Sequence, residues 1–207
     1  MLKLYDISPF LLQAEVFDGD PIPELKQVKS IKNSDEYNLS ELTVCSHNGS
    51  HIDAPLHFCE DGKSITELPI EKFYGPCVVA EASESITARW VSENLPWNCT
   101  RLIVKFTSPD CYITQSAVNE INRFHIELVG VNSLSVAFGE QTAEIHRELF
   151  LHDIALLEGL VLDEVPVGEY TLCAFPLKVD GAEASVCRAV LIKSKSESEV
   201  EFKDFDI

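Results

Sequence analysis

The chain is short of positive charge. Its 207 residues carry 16 Lys and Arg against 34 Asp and Glu, a formal net charge of −18. That balance excludes nucleic acid and anionic membrane as expected partners, because both require positive surface. Long apolar runs are also lacking. The first apolar cluster, FLLQAEVF at 10–17, is short, has no basic flank and is interrupted by Gln13 and Glu15. Neither a targeting segment nor a membrane span is therefore expected. No Cys-x-x-Cys occurs among the seven cysteines, which are odd in number and scattered. They read as reduced thiols of a cytoplasmic protein. Cys45 and Cys59 flank a histidine cluster, but neither falls into a zinc-site spacing. What remains is an ordinary globular composition, 45% hydrophobic and 24% charged, long enough for one domain with a real core.

The apolar pattern predicts alternating strands and helices. LKLYDIS, ELTVCSH, GPCVVAEA, RLIVKF and IELVGVNSL read as strands. TARWVSENL, TQSAVNEINRF and EQTAEIHRELFLHD have helical spacing, and Thr114 is placed to cap the second of these. The apolar IALLEGLVL surrounds a single acid. GEYTLCAFPLKV and ASVCRAVLIK read as late strands. The order argues for one mixed α/β domain spanning 1–207. Residues 1–40 are expected to form an extended N-terminal arm after a first short strand, and 194–207 a charged tail.

Histidine is scarce, yet half of the six fall within SHNGSHIDAPLHF at 46–58. His47 and His51 stand four apart, as on a zinc-protease helix, but Gly49 and Pro55 argue against a helix here. In an extended chain His47, Gly49, His51, Asp53, Pro55 and His57 all point to one side. At strand spacing, His51 and Asp53 lie about 7 Å apart, within reach of a common ion, whereas His47 and His51 lie about 13 Å apart. A shared metal therefore needs a bend, and Gly49 is the natural place for one. Two imidazoles and a carboxylate suit Zn²⁺ or Mn²⁺, and His57 could stand beside them as an acid/base group.

A second candidate lies a hundred residues on. Glu158 is the lone acid in IALLEGLVL, where apolar neighbours predict burial. A buried carboxylate is costly unless a cation pairs with it. The alternative is an exposed Glu on a short loop permitted by Gly159.

HNGSHIDAPLHF resembles the His-x-Gly-Thr-His-x-Asp-x-Pro-x-His-Phe signature of the cyclase family of metal-dependent hydrolases, which includes kynurenine formamidases (arylformamidases) and isatin hydrolases. YDISPFLLQAEVFDGD, HFCEDGKSITELPIEKFYGPCVV and LLEGLVLDEVPVGEYTLCAFPLKVDGAEASVCRAVL extend the likeness over nearly the whole chain. The resemblance implies a single α/β domain of the swivelling β/β/α type and one or two divalent metal ions per chain, Zn²⁺ or Mn²⁺. It implies metal ligands at His47, His51, Asp53, His146 and Glu158, with Asp53 and Glu158 bridging and His57 as proton carrier. It favours His146 over His152, which the helical pattern alone does not separate; His152 then reads as helix-terminal and His125 as a loop residue. Phe17 stands where these enzymes carry a substrate-contacting Trp, Asp18 where they carry Pro, and Ser50 replaces the signature Thr. Asn132 and Ala137 replace two carboxylates and are candidates to line or support the substrate pocket. The implied substrate is a small amide such as N-formylkynurenine, and the implied assembly a homodimer or homotetramer. A different cyclase-family amidase or lactamase, such as an isatin hydrolase, and a non-catalytic metal-dependent binder of small ligands are the rival readings.

Overall fold

In the strand Arg101–Phe106, alternation sends Leu102, Val104 and Phe106 to one face and Ile103 to the other, and all four are buried. A strand apolar on both faces must lie between two layers. The computed structural model, which describes residues 2–193, shows both. The strands are β1 (Lys3–Asp6), β2 (Glu24–Lys29), β3 (Leu39–Thr43), β4 (His51–Asp53), β5 (Tyr74–Ala82), β6 (Arg101–Phe106), β7 (Leu128–Val131), β8 (Ala155–Glu158), β9 (Gly168–Cys173), β10 (Ala184–Val186) and β11 (Val190–Lys193). The helices are α1 (Ala88–Asn94), α2 (Gln115–Arg123) and α3 (Thr142–Leu151).

Nine strands form one mixed sheet in the order β1-β11-β9-β5-β6-β7-β8-β4-β10. β5 to β8 run parallel, and the remaining pairings are antiparallel. β10 and β11 occupy nearly opposite ends of this order, yet only Cys187–Ala189 separate them in the chain. A connection that short spans no more than about 14 Å. The sheet must therefore curl until its ends are close. The inside of the curl holds one core, including Ile7, Ile52, Phe73, Ile103, Leu157 and Leu172. The other face packs under the three helices through Leu102, Val104, Val129, Ile145, Leu149 and Leu156. Each such side chain removed from water contributes about 1.5–3 kcal/mol before conformational entropy is counted.

Several expectations need correction. ASVCRAVLIK is not one strand: the curl breaks it into β10 and β11, with Ala189 buried at the crossing. The segment 1–40 is not a simple arm. β1 belongs to the main sheet, while β2 and β3 form a separate hairpin whose strand residues are exposed except for partly covered Lys29. ELTVCSH ends as a strand at Thr43, and a turn over Cys45–Asn48 leads into the histidine motif. Thr114 does sit at the N-cap of α2, but its hydroxyl donates to the Ile86 carbonyl instead of capping the helix. The expected charged tail, 194–207, lies outside the described residues.

Candidate metal centre

Strand register assembles the first part of the site. β4 pairs with β8 so that His51 faces Glu158 and Asp53 faces Leu156. Ile52, between them, points into the core of the curl. His51, Asp53 and Glu158 thus share the face covered by the helices, and Leu156 of that face packs with α3 residues. His146 comes down onto it from the second turn of α3, on the buried side with Ile145, Leu149 and Phe150.

The bend falls where the reach argument required it. Gly49 has φ +59°, a left-handed conformation that favours glycine. It brings the His47 and His51 rings to 5.0 Å between centroids. Gly159, just after β8, lies so close that a Cβ there would sit 2.3 Å from the Gly49 carbonyl oxygen. The Ser50 hydroxyl donates to the Gly159 carbonyl at 2.9 Å. These contacts lock the two distant halves of the site together. The bond uses only the hydroxyl, which Ser50 shares with the Thr of the resembled signature.

The resulting cluster has two overlapping groups that could hold a metal ion, His47–His51–Asp53 and Asp53–His146–Glu158, each with its donor atoms within 4.8 Å of one another. Asp53 Oδ1 lies 3.0 Å from His47 Nδ1 and 3.4 Å from His51 Nε2, and Glu158 Oε1 lies 3.4 Å from His146 Nε2. Metal–ligand bonds of about 2.0–2.2 Å place neighbouring ligands roughly 3–3.5 Å apart, so these spacings suit a coordination shell. No cysteine belongs to either set.

The ring tautomers are set from behind. His51 Nδ1 is 3.0 Å from the Gly49 carbonyl and His146 Nδ1 is 2.6 Å from the Thr142 carbonyl. Each Nδ1–H donates outward and leaves Nε2 facing the carboxylates. His47 is reversed, with Nε2 3.3 Å from Glu183 Oε1 and Nδ1 towards Asp53. Glu158 Oε1 accepts the Val136 backbone N–H at 2.8 Å.

Asp53 is the exception. It is fully buried, and both of its carboxylate oxygens lack a hydrogen-bond donor. Buried polar atoms are nearly always satisfied, and an unpaired carboxylate is among the costliest departures. The electrostatics point the same way. Burial lowers the affinity of His47 and His146 for protons, but carboxylates overcome this (Asp53 against His47, Glu158 against His146) and raise both above the ordinary range. Burial raises Asp53, yet His51, His47 and His57 hold it well below the usual carboxylate range. The cluster attracts positive charge. A divalent cation fits its donor set and would satisfy the Asp53 oxygens.

His57 lies beside the cluster, its ring centroid 4.2 Å from that of His47. Burial, then the neighbouring His47 and His146, push it below the ordinary imidazole value despite Asp53. Phe17, Asp20, His57, Phe58, Ser135 and Thr142 line a cavity of about 190 Å³ together with His47, His51, His146 and Glu158. Typical drug-sized pockets hold about 300–1,000 Å³, so this one suits a small substrate.

Three contributors were missed in the sequence. Glu183 reaches His47 because β10 pairs beside β4, a non-local fact. Buried Asn48 accepts from Cys45 N at 2.8 Å and donates to the Pro21 carbonyl at 3.1 Å, shaping the turn and tying down the segment that carries Phe17 and Asp20. Asp20 lines the cavity itself. The position of Asn48 inside the motif was the only available signal. Two of the noted departures lie elsewhere. Asn132 accepts from Phe106 N at 2.8 Å and donates to Phe106 O at 3.0 Å, a two-way clamp that a carboxylate could not make. Ala137 is buried in the helical-face core. His152 forms the C-cap of α3.

Comparison with known proteins agrees with this architecture. Residues 5–98 match the family described as "Putative cyclase". A solved potential metal-dependent hydrolase with cyclase activity is 25% identical, with TM-score 0.79, covering 95% of this chain and 100% of its own. A predicted metal-dependent hydrolase from Bacillus stearothermophilus is 24% identical, with TM-score 0.76 and coverages of 94% and 100%. An isatin hydrolase bound to the product analogue thioisatinate shares the fold at TM-score 0.81 and 17% identity, with coverages of 94% and 93%. Among the described residues no helix is long and apolar enough to cross a membrane.

Proposed function

We propose that this chain is a cyclase-family, metal-dependent hydrolase of small amides, acting on an N-formyl arylamine such as N-formylkynurenine. The observation that carries the reading is the buried Asp53 carboxylate, undonated on both oxygens, with ring nitrogens of His47 and His51 at 3.0 and 3.4 Å from its Oδ1. His47, His51 and Asp53 would hold one divalent ion, and Asp53, His146 and Glu158 a second. A bound divalent ion supplies an acidified water and positive charge at the scissile carbonyl. The protein's own groups supply the rest. His57, held neutral near pH 7 by burial, is free to accept a proton at a ring nitrogen and to deliver one to the departing nitrogen. Phe17 and Phe58 offer aromatic walls to an aryl substrate. A cavity of about 190 Å³ favours small amides over large ones.

Opening of a cyclic amide, as the fold shared with isatin hydrolase suggests, is the second reading. The two are separated by turnover of N-formylkynurenine against isatin by chelated and Zn²⁺- or Mn²⁺-reloaded protein. Stoichiometric metal and metal-restored hydrolysis are expected. His57→Ala should keep its metal while turnover falls about 10²–10⁴-fold. Activity that survives chelation overturns the metal role, and full activity in His57→Ala overturns the proton-carrier role. Ligand binding without turnover of any amide would instead favour a non-catalytic binder.

A further inference from the structure

We propose that Asp20 makes the site selective for charge, favouring amides that carry an ammonium or no charge over those that carry a carboxylate; this rests on the hydrolase reading above. Asp20 lines the same cavity as the metal-ligand candidates His47, His51, His146 and Glu158, together with the half-exposed Phe17. Its position is held on both sides. Its own backbone N–H donates to the Phe17 carbonyl at 3.0 Å, and the Pro21 carbonyl that follows accepts from buried Asn48 at 3.1 Å. Among the described residues its carboxylate has no hydrogen bond or ion pair. It is thus a positioned charge that no described residue balances.

Among the described residues no Lys or Arg lines the cavity. Arg147, next to His146, donates its Nε to the Phe58 carbonyl and is not among the residues that line the cavity. Asp53, Glu158, Glu183 and Asp20 bring four negative charges to the site. One dication halves that total and two cancel it, so neither occupancy leaves a surplus of positive charge to receive a substrate carboxylate. A substrate group lying between the aromatic walls, away from the ligands, meets Asp20 first. An ammonium there gains an ion pair in a partly enclosed cavity, and a carboxylate meets like charge. A zwitterionic amino-acid substrate would have to orient its ammonium towards Asp20 and its carboxylate outward.

The test uses the metal-loaded full chain and two ligands of one shape, 4-aminobenzylamine and 4-aminophenylacetate, titrated calorimetrically, together with the turnover of their N-formyl derivatives. Comparing each ligand between parent and variant cancels any direct contact with the metal. Asp20→Asn should weaken the ammonium ligand about three- to tenfold and strengthen the carboxylate ligand by a similar factor. Asp20→Glu should keep the parent's preference, and the kcat/KM ratio of the two formyl derivatives should follow the binding ratio. Both effects should shrink as salt is raised. Equal changes for the two ligands, or none, in a variant that retains its metal and melting temperature would overturn the role of Asp20. If neither formyl compound is hydrolysed, the hydrolase reading fails, and the binding ratio still decides whether Asp20 selects by charge.

Discussion

The parallel strands end in two buried charged clusters, and these are built on opposite principles. At their N-terminal ends sit Lys72 just before β5, Arg101 opening β6, Glu127 just before β7 and Asp153 just before β8. Lys72 donates to the Asp153 carbonyl and lies 3.0 Å from its carboxylate. Arg101 donates to the carbonyls of Lys72 and Glu71, to the Thr100 hydroxyl and to Glu127. The cations are buried, but their donors are used and the acids they meet are half exposed. At the C-terminal end, next to Glu158, the roles are exchanged. The acids are buried, and Asp53 receives no donor. A cluster that is complete needs nothing more and serves the fold. One that is incomplete in the native chain points to a missing partner of known charge. Burial of charge alone does not mark a functional site; unsatisfied burial does.

Substitution at the two ends should therefore separate function from stability. Asp53→Asn keeps the shape and removes the charge. It should abolish stoichiometric metal uptake and hydrolysis. The metal-free variant should melt no lower than the metal-free parent, because a costly buried anion has gone. The parent alone should gain stability on metal addition, by about 4 kcal/mol at a thousandfold excess over Kd. A metal-free Asp53→Asn protein that melts well below the metal-free parent would show that the carboxylate supports the fold, and the contrast would fail.

Lys72→Met is the converse case. It leaves the Asp153 carbonyl without its buried donor and should cost about 1–3 kcal/mol. Metal content and kcat should match those of the parent. Loss of metal in this variant, with the fold retained, would mean that the two ends are coupled through β8.

What could be read from the sequence follows the same division between local and distant causes. The bend at Gly49 was legible because it depends on the reach of a five-residue stretch. The burial of Glu158 was legible because its neighbours in the chain are apolar. His146 separates from His152 only once α3 is seated with Ile145 and Leu149 against the sheet. Glu183 depends on β10 pairing with β4, about 130 positions earlier, and nothing near it in the chain announces that pairing. The break between β10 and β11 was hidden because a curl around a closed core leaves the apolar pattern uninterrupted on both sides. Lys72 and Arg101 went unremarked for a related reason. Their partners are mostly backbone carbonyls, which every residue has and no side-chain pattern reveals.

The smallest expected effect lies in the acid limb of stability. Burial tends to raise the Asp153 carboxyl, but Lys72 and then Lys63 outweigh it and hold the group below its ordinary value. A carboxyl depressed in the folded state adds stability that is complete above its unfolded value, about 3.9, and is lost as pH falls through the folded value. The parent should therefore lose this increment only below about pH 4. Asp153 is half exposed, so the increment is at most about 1 kcal/mol. Urea melts of parent and Lys72→Met, taken between neutral pH and the acid transition, should differ by a constant amount down to that point and then narrow by up to about 1 kcal/mol, the contribution of the carbonyl bond remaining. Lys63→Ala should move the same limb by less, since that lysine is itself exposed. A difference that stays constant through the acid limb would mean that Lys72 stabilises through the Asp153 carbonyl alone. The charge of Asp153 would then contribute nothing, and the completeness of the N-terminal cluster would rest on its hydrogen bonds to carbonyls.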